Sequence, residues 1–234
     1  MRIFQKGFNF SQDGPGNRLV IHLQGCNFKC PWCSNPEGME IQGRKCEEVS
    51  VKELFDYIVH TSLLFFDGGG VTFTGGECTV QHNELLSLLK MLHEEGINTA
   101  VETNASDPRL CELLPYIDYL IADIKHTDDE IHKKYTGVSN KTVIKNISSV
   151  LLQGRQLHLR IPLINGFNTD PKPFFDFFCA YPTENAVLEI LPYHEYGKSK
   201  WTEEYTVKNG FVNEKTLNYF TSEIGKSGIT IIST

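Results

Sequence analysis

The stretch Asn17-Arg18-Leu19-Val20-Ile21-His22-Leu23-Gln24-Gly25-Cys26-Asn27-Phe28-Lys29-Cys30-Pro31-Trp32-Cys33 decides how this chain is read. Its first seven residues, Asn17–Leu23, have the β-branched and apolar content of a strand. The strand pattern stops at Gly25, and Cys26, Cys30 and Cys33 follow, with three residues and then two between them. Thiolates are soft ligands that suit iron–sulfur clusters, zinc or Cu(I). A cluster of four irons held by three thiolates keeps one iron open, and an open position is what a reactive metal centre needs. Cys26, Cys30 and Cys33 are therefore expected to hold one [4Fe–4S] cluster. The residues alone also allow a structural zinc site with Cys46 as fourth ligand, for which this spacing is unusual.

Outward from the loop, short elements alternate. Helices are expected near 51–59, 83–95, 128–135, 141–153, 170–179 and 213–225, and strands over 71–74, 97–102, 119–124, 157–163, 186–191 and 229–232. Ser106 or Asp107 is placed to N-cap a further helix with Pro108 in its first turn. Strand–helix alternation at this rhythm predicts an α/β fold, a mainly parallel sheet with helices outside, closing into a barrel or partial barrel. Active sites of such sheets gather at the carboxyl ends of the strands. The chemically distinctive residues do follow strands: Cys26, then Gly75-Gly76-Glu77, Thr103-Asn104, Lys125-His126 and His194.

Composition narrows the function classes. With 234 residues and 26.6 kDa, the chain suits one α/β unit that buries roughly 70–75% of its unfolded surface. The net charge of −7, with no Lys/Arg run, argues against nucleic acid as a partner. No stretch approaches about 18 consecutive apolar residues, so no membrane span is expected. The first residues lack the apolar core of a signal peptide, and a cytoplasmic location follows. Seven cysteines, three of them crowded into one loop, fit metal binding in a reducing compartment better than a disulfide framework. Cys46, Cys111 and Cys179 are read as structural thiols.

Several residues beyond the loop carry chemistry. Gly75 and Gly76 offer backbone that a ligand can approach closely, and Glu77 with the glycine carbonyls can accept hydrogen bonds from an ammonium group. Arg160 suits bidentate carboxylate recognition, whereas Lys125 is a point charge.

The C-x3-C-x-aromatic-C loop after the first strand resembles the signature of the radical S-adenosylmethionine (SAM) superfamily, and Thr74-Gly75-Gly76-Glu77 resembles its GGE motif, with Cys78 where many relatives have proline. Asp13-Gly14-Pro15-Gly16-Asn17-Arg18 resembles the D-G-P-G-x-R segment of the glycyl radical enzyme activating enzymes. So do Ala122-Asp123-Ile124-Lys125, Asp129-Glu130-Ile131-His132, Gly137-Val138-Ser139-Asn140, Arg160-Ile161-Pro162 and Leu191-Pro192-Tyr193-His194-Glu195-Tyr196-Gly197-Lys198. The resemblance runs from about residue 5 to 202.

That resemblance implies a partial (β/α)6 TIM-like barrel of the radical SAM type, as one domain over residues 1–234. Its open iron chelates SAM, an electron cleaves the sulfonium, and the resulting radical takes a Cα hydrogen from a glycine of a partner glycyl radical enzyme, pyruvate formate-lyase by default. Trp32 is implied near the adenine. Gly75, Gly76 and Glu77 hold the amino end of SAM, and Asn35, Thr103, Asp123, Lys125, Arg160 and His194 contact cluster or SAM. Glu102 and Asp123 fall at a monovalent-cation site, with Glu102 where the relative has aspartate. Asp13 contacts the incoming glycine loop, and Asp13 and Lys125 count as the catalytic pair. Only Cys46 lies between Cys33 and Cys78, so no ferredoxin insert is present and the electron comes from a flavodoxin or ferredoxin. A radical SAM enzyme acting on a small molecule or another peptide, and a metal-binding module without turnover, are the competing readings.

Overall fold

The structure, a computed structural model, describes residues 1–10, 12–41, 43 and 46–233. It comprises two compact units. The first is Met1–Asn27, Asn35–Thr103 and Asp107–Ile121, and the second is Phe28–Ser34, Asn104–Ser106 and Ala122–Thr234.

In the first unit β1 (Arg2–Phe10) runs antiparallel to β2 (Asn17–Leu23). A two-residue β3 (Glu47–Glu48) pairs with the start of β1. Then come α1 (Val51–Thr61), β4 (Gly70–Gly75), α2 (His82–Glu94), β5 (Thr99–Thr103) and the short α3 (Leu110–Leu113). The strand order is β3-β1-β2-β4-β5, with β2, β4 and β5 parallel. The parallel strands read as apolar runs because both of their faces are covered: Leu19, Ile21, Leu23, Val71 and Phe73 are fully buried. α1 starts where Ser50 and Glu53 close a capping box. Its Leu54 and Ile58, with Leu85, Leu88, Leu89 and Leu92 of α2, turn inward. Burial of each such side chain contributes about 1.5–3 kcal/mol.

β6 (Tyr119–Asp123) crosses from the first unit into the second. The second unit continues with α4 (Asp129–Thr136), α5 (Lys141–Leu152), β7 (Leu157–Leu163), α6 (Lys172–Cys179), β8 (Ala186–Pro192), α7 (Glu214–Gly225) and β9 (Thr230–Ile232). β7, β8 and β9 are parallel neighbours. Asp128 caps α4 by accepting from the Ile131 amide, and Gly137 ends it in the left-handed conformation at φ 83°. Phe174 and Phe178 of α6 and Phe220 and Ile224 of α7 are buried. Among the described residues no helix is long and apolar enough to cross a membrane.

Two expectations are corrected. The sequence reading begins the sheet at Asn17, but β1 precedes it. Only Ile3 of β1 is buried, so the strand carries no run of alternating core residues to mark it. Nor does a helix start at Ser106 or Asp107 with Pro108 in its first turn. Asp107 Oδ1 instead accepts from the Arg109 amide at 2.8 Å while Oδ2 meets His82 Nδ1 at 2.8 Å, so its carboxylate is committed before α3 begins at Leu110.

Candidate active site

Within the first unit, the turn after β4 is knitted to the entry of the cysteine loop. Gly76 N donates to Leu23 O at 3.0 Å and Glu77 N to Gly25 O at 2.8 Å, while Gly25 N reaches Gly38 O at 2.8 Å and Cys26 N reaches Met39 O at 3.1 Å. Gly75 sits at φ 117°, and a Cβ there would lie 2.5 Å from Leu23 N. At Gly76 a Cβ would lie 2.3 Å from Gly38 O and 2.4 Å from Gly25 O. The structure thus gives both glycines a role the sequence did not suggest: they let three backbone segments of the chain itself meet.

Glu77 is buried, and its Oε1 accepts from Thr79 N at 3.0 Å, Thr79 Oγ1 at 2.6 Å and Thr103 Oγ1 at 2.7 Å. Thr103, expected beside SAM, therefore orients Glu77 from the end of β5. Cys78 is fully buried and donates its S–H to Glu102 O at 3.3 Å. Burial, with the Glu77 and Glu102 carboxylates, holds that thiol well above its usual range. The Glu102 side chain accepts from Thr74 Oγ1 at 3.1 Å. Asn35 opens the 3-10 turn Pro36–Gly38.

The Asp13 segment has its own scaffold. Arg18 is fully buried and donates to Thr72 Oγ1 at 2.7 Å, Asn98 Oδ1 at 2.9 Å, Val71 O at 2.9 Å and Pro15 O at 3.2 Å. Burial lowers its pKa to about 10, against the pull of Asp118 and Asp13. Thr72 Oγ1 in turn donates to Asp13 O at 2.7 Å. Gly16, at φ 69°, leaves no room for a Cβ, which would lie 2.4 Å from Phe66 O. The Asp13 carboxylate, half-buried, accepts from Asn9 Nδ2 at 2.5 Å.

Within the second unit, residues 28–34 of the cysteine loop are pinned at both ends. Lys29 N donates to Thr136 O at 2.8 Å, at the end of α4, and Phe28 meets the His132 ring edge-on at 5.2 Å. At the far end Trp201 Nε1 donates to Cys33 O at 3.1 Å. Gly197 fits so closely under Ser34 that a Cβ would lie 2.5 Å from Ser34 Cα. Trp32 packs on Phe167 at 4.5 Å and Tyr135 at 6.1 Å.

Lys125 follows β6, and its Nζ sits 2.7 Å from Asp123 Oδ2, both side chains being largely buried. Burial alone would lower the Lys125 pKa, but the Asp123 carboxylate outweighs it and raises it. Cys30 shows the complementary effect: burial pushes its thiol up to about 12 although Lys125 pulls it down. Asn168 Nδ2 donates to the carbonyls of Lys125 and Pro162 at 3.1 and 2.7 Å. Arg160 Nε donates to Glu189 Oε2 at 2.8 Å, and His158 Nε2 lies 3.1 Å from the same oxygen. His194 stacks on Tyr196 at 4.2 Å, and burial lowers its pKa.

Of the seven cysteines, Cys30 and Cys78 are buried, Cys26, Cys33 and Cys46 half-buried, and Cys111 and Cys179 exposed. Among the described residues no three His, Cys, Asp or Glu side chains are gathered into a ready-made metal cage. The donor chemistry nonetheless suits an iron–sulfur group: a buried thiol that resists ionisation, beside an ammonium, becomes a thiolate when a soft cation replaces the proton.

Residues 20–178 match the model of the radical SAM superfamily. The chain belongs to the radical SAM superfamily. It is 32% identical over 276 aligned positions to the 4-hydroxyphenylacetate decarboxylase activating enzyme of Clostridioides difficile (strain 630), covering 88% of this chain and 87% of that protein. It is also 32% identical over 203 positions to the pyruvate formate-lyase 1-activating enzyme of Escherichia coli (strain K12), covering 82% of each. A solved domain of a pyruvate-formate lyase-activating enzyme from Bacteroides vulgatus ATCC 8482 superposes with a TM-score of 0.60 at 27% identity, over 71% of this chain and 99% of that one. These relatives are glycyl radical enzyme activating enzymes, and the α/β fold is of the radical SAM type.

Sequence reasoning about this radical SAM chain passed over Asn168 and Glu189, and gave Gly197 and Trp201 no role of their own. Each acts by holding the backbone or side chain of another residue, and nothing local in the sequence marks such a partner.

Proposed function

We propose that this chain is an activating enzyme that installs a glycyl radical in a partner protein. When bound, a [4Fe–4S] cluster on Cys26, Cys30 and Cys33 together with SAM supplies a primary carbon radical that takes a hydrogen atom from one glycine Cα. The observation that carries the reading is the buried Lys125–Asp123 pair beside Cys30, in a loop held at Lys29 and Cys33. A positive charge next to the thiol favours its loss of a proton to a metal centre.

The chain's own residues supply orientation and exclusion of water. Glu77, locked by Thr79 and Thr103, offers a fixed carboxylate for an ammonium group. Gly75, Gly76, Trp32, Asn35, Thr103, Asp123, Lys125, Arg160 and His194 line the remaining contacts with SAM. Asp13, on its Arg18 scaffold, accepts peptide N–H groups of the entering glycine loop. Glu102 and Asp123 are the positions for a monovalent cation. The partner is pyruvate formate-lyase or another glycyl radical enzyme. The two relatives act on different partners at the same 32% identity, so identity does not choose between them. The reading includes a single radical SAM core over 1–234, a cytoplasmic location and an electron from a flavodoxin or ferredoxin.

Anaerobic reconstitution with iron and sulfide, reduction, and EPR with and without SAM test the proposal, with 5′-deoxyadenosine measured on the same samples. A reduced-cluster signal that shifts with SAM and a glycyl radical on added pyruvate formate-lyase are expected. Full SAM cleavage by Cys30→Ala would overturn the cluster assignment.

A further inference from the structure

Residues 28–34 hold one charged side chain, Lys29, and no acid. Phe28 and Cys30 on either side are buried while Lys29 is exposed, so this lysine is the loop's outward charge. Its amide bond to Thr136 O sets it beside the end of α4, whose last turn carries Lys133 and Lys134, both exposed. At the other end of the loop, the Trp201–Cys33 bond and the Gly197–Ser34 contact bring up the 3-10 turn Lys198–Lys200, with both lysines exposed. Glu195 neutralises Lys198 at 2.8 Å, and the exposed Glu203 and Glu204 follow Trp201, so the surplus of positive charge lies at the Lys29 and α4 end of the loop. Asp129 and Glu130 lie in the first turn of α4, at the opposite end of that helix, and Asp129 is held by Ser139 and Asn140. The chain as a whole carries −7, so a lysine cluster at this end of the loop runs against its average charge.

We infer that the cluster formed by Lys29, Lys133 and Lys134 is the docking surface for an acidic one-electron carrier protein. The inference rests on the functional reading above, in which the cysteine loop holds a cluster that must be reduced. Only Cys46 lies between Cys33 and Cys78, so no internal relay cluster is available there and the electron arrives from outside. One electron leaves the reduced cofactor of the carrier and enters the cluster; no bond forms or breaks. Opposite charges on the two faces steer the encounter and set its orientation, an effect that weakens as salt screens it.

The test compares two reductants on the reconstituted enzyme: a purified flavodoxin in its hydroquinone form, and photoreduced 5-deazariboflavin, which is small and uncharged. The double variant Lys133→Glu/Lys134→Glu is expected to slow reduction by flavodoxin about 10-fold and weaken the calorimetric Kd for flavodoxin by a similar factor. It should flatten the salt dependence and leave deazaflavin-driven reduction unchanged. Lys215→Glu on α7 serves as the charge control and is expected to change none of these. Wild-type rate and Kd with flavodoxin in the double variant, or equal slowing with both reductants, would overturn the docking surface. Failure of deazaflavin to reduce the unaltered protein would instead overturn the cluster reading, and the docking surface with it.

Discussion

The indole Nε1 of Trp201 donates to the carbonyl of Cys33 across 168 residues of chain, at 3.1 Å. Trp201 is itself held by an edge-on contact with Tyr205 at 5.6 Å, and the Tyr205 hydroxyl meets that of Tyr193 at 2.8 Å. The segment after β8 therefore acts as a clasp on the last cysteine of the loop.

Trp201→Phe keeps the ring and deletes the donor. It is expected to cost about 1 kcal/mol of stability, the usual net worth of such a bond, and to lower the iron bound per chain after reconstitution. Urea unfolding and iron analysis measure both. Wild-type iron content would mean that the clasp does not position the loop.

Gly76→Ala drives a methyl group to 2.3 Å from Gly38 O and 2.4 Å from Gly25 O, and both neighbours are backbone. The turn and the loop entry must separate, so this variant is expected to lose SAM binding and several kcal/mol of stability. Gly7→Ala meets nothing within 4 Å and is expected to behave like the parent. Thermal unfolding and SAM titration of the pair separate a steric requirement at Gly76 from a general intolerance of substitution.

Acid is expected to weaken the fold through His132. Its Nδ1–H donates to Val138 O at 2.7 Å, which leaves Nε2 buried without a hydrogen-bond partner among the described residues. Burial lowers its pKa, helped by Lys125 and opposed by the Val138 carbonyl and Asp129; burial also lowers that of His126. The unfolded chain then binds more protons in acid. The stabilisation is complete above about pH 6.5, the ordinary histidine value, and is lost as pH falls below it. The urea midpoint should fall between pH 7.5 and 5.5, and His132→Gln should shrink that fall. An unchanged fall would assign the acid sensitivity elsewhere.

The cysteine loop, the Gly75-Gly76-Glu77 turn and the strand–helix alternation were legible in the sequence because each is local. A strand pattern, a ligand spacing or a capping signal is complete within a few residues. The strands at Asn17–Leu23, Leu157–Leu163 and Ala186 onward, and the helix from Lys141, appear where their periodicity places them. What only the tertiary structure decided is which groups are already engaged. Thr103 turns to Glu77, Arg160 to Glu189, Arg18 to the Asp13 segment, and Trp201 to Cys33. The β1 strand belongs with these, since it is largely exposed and is fixed by its pairing with β2. A side chain's identity states what it can bond, but its partner is chosen by which distant backbone is brought within 3 Å. That proximity is a property of packed strands and turns, whose contacts join residues far apart in sequence.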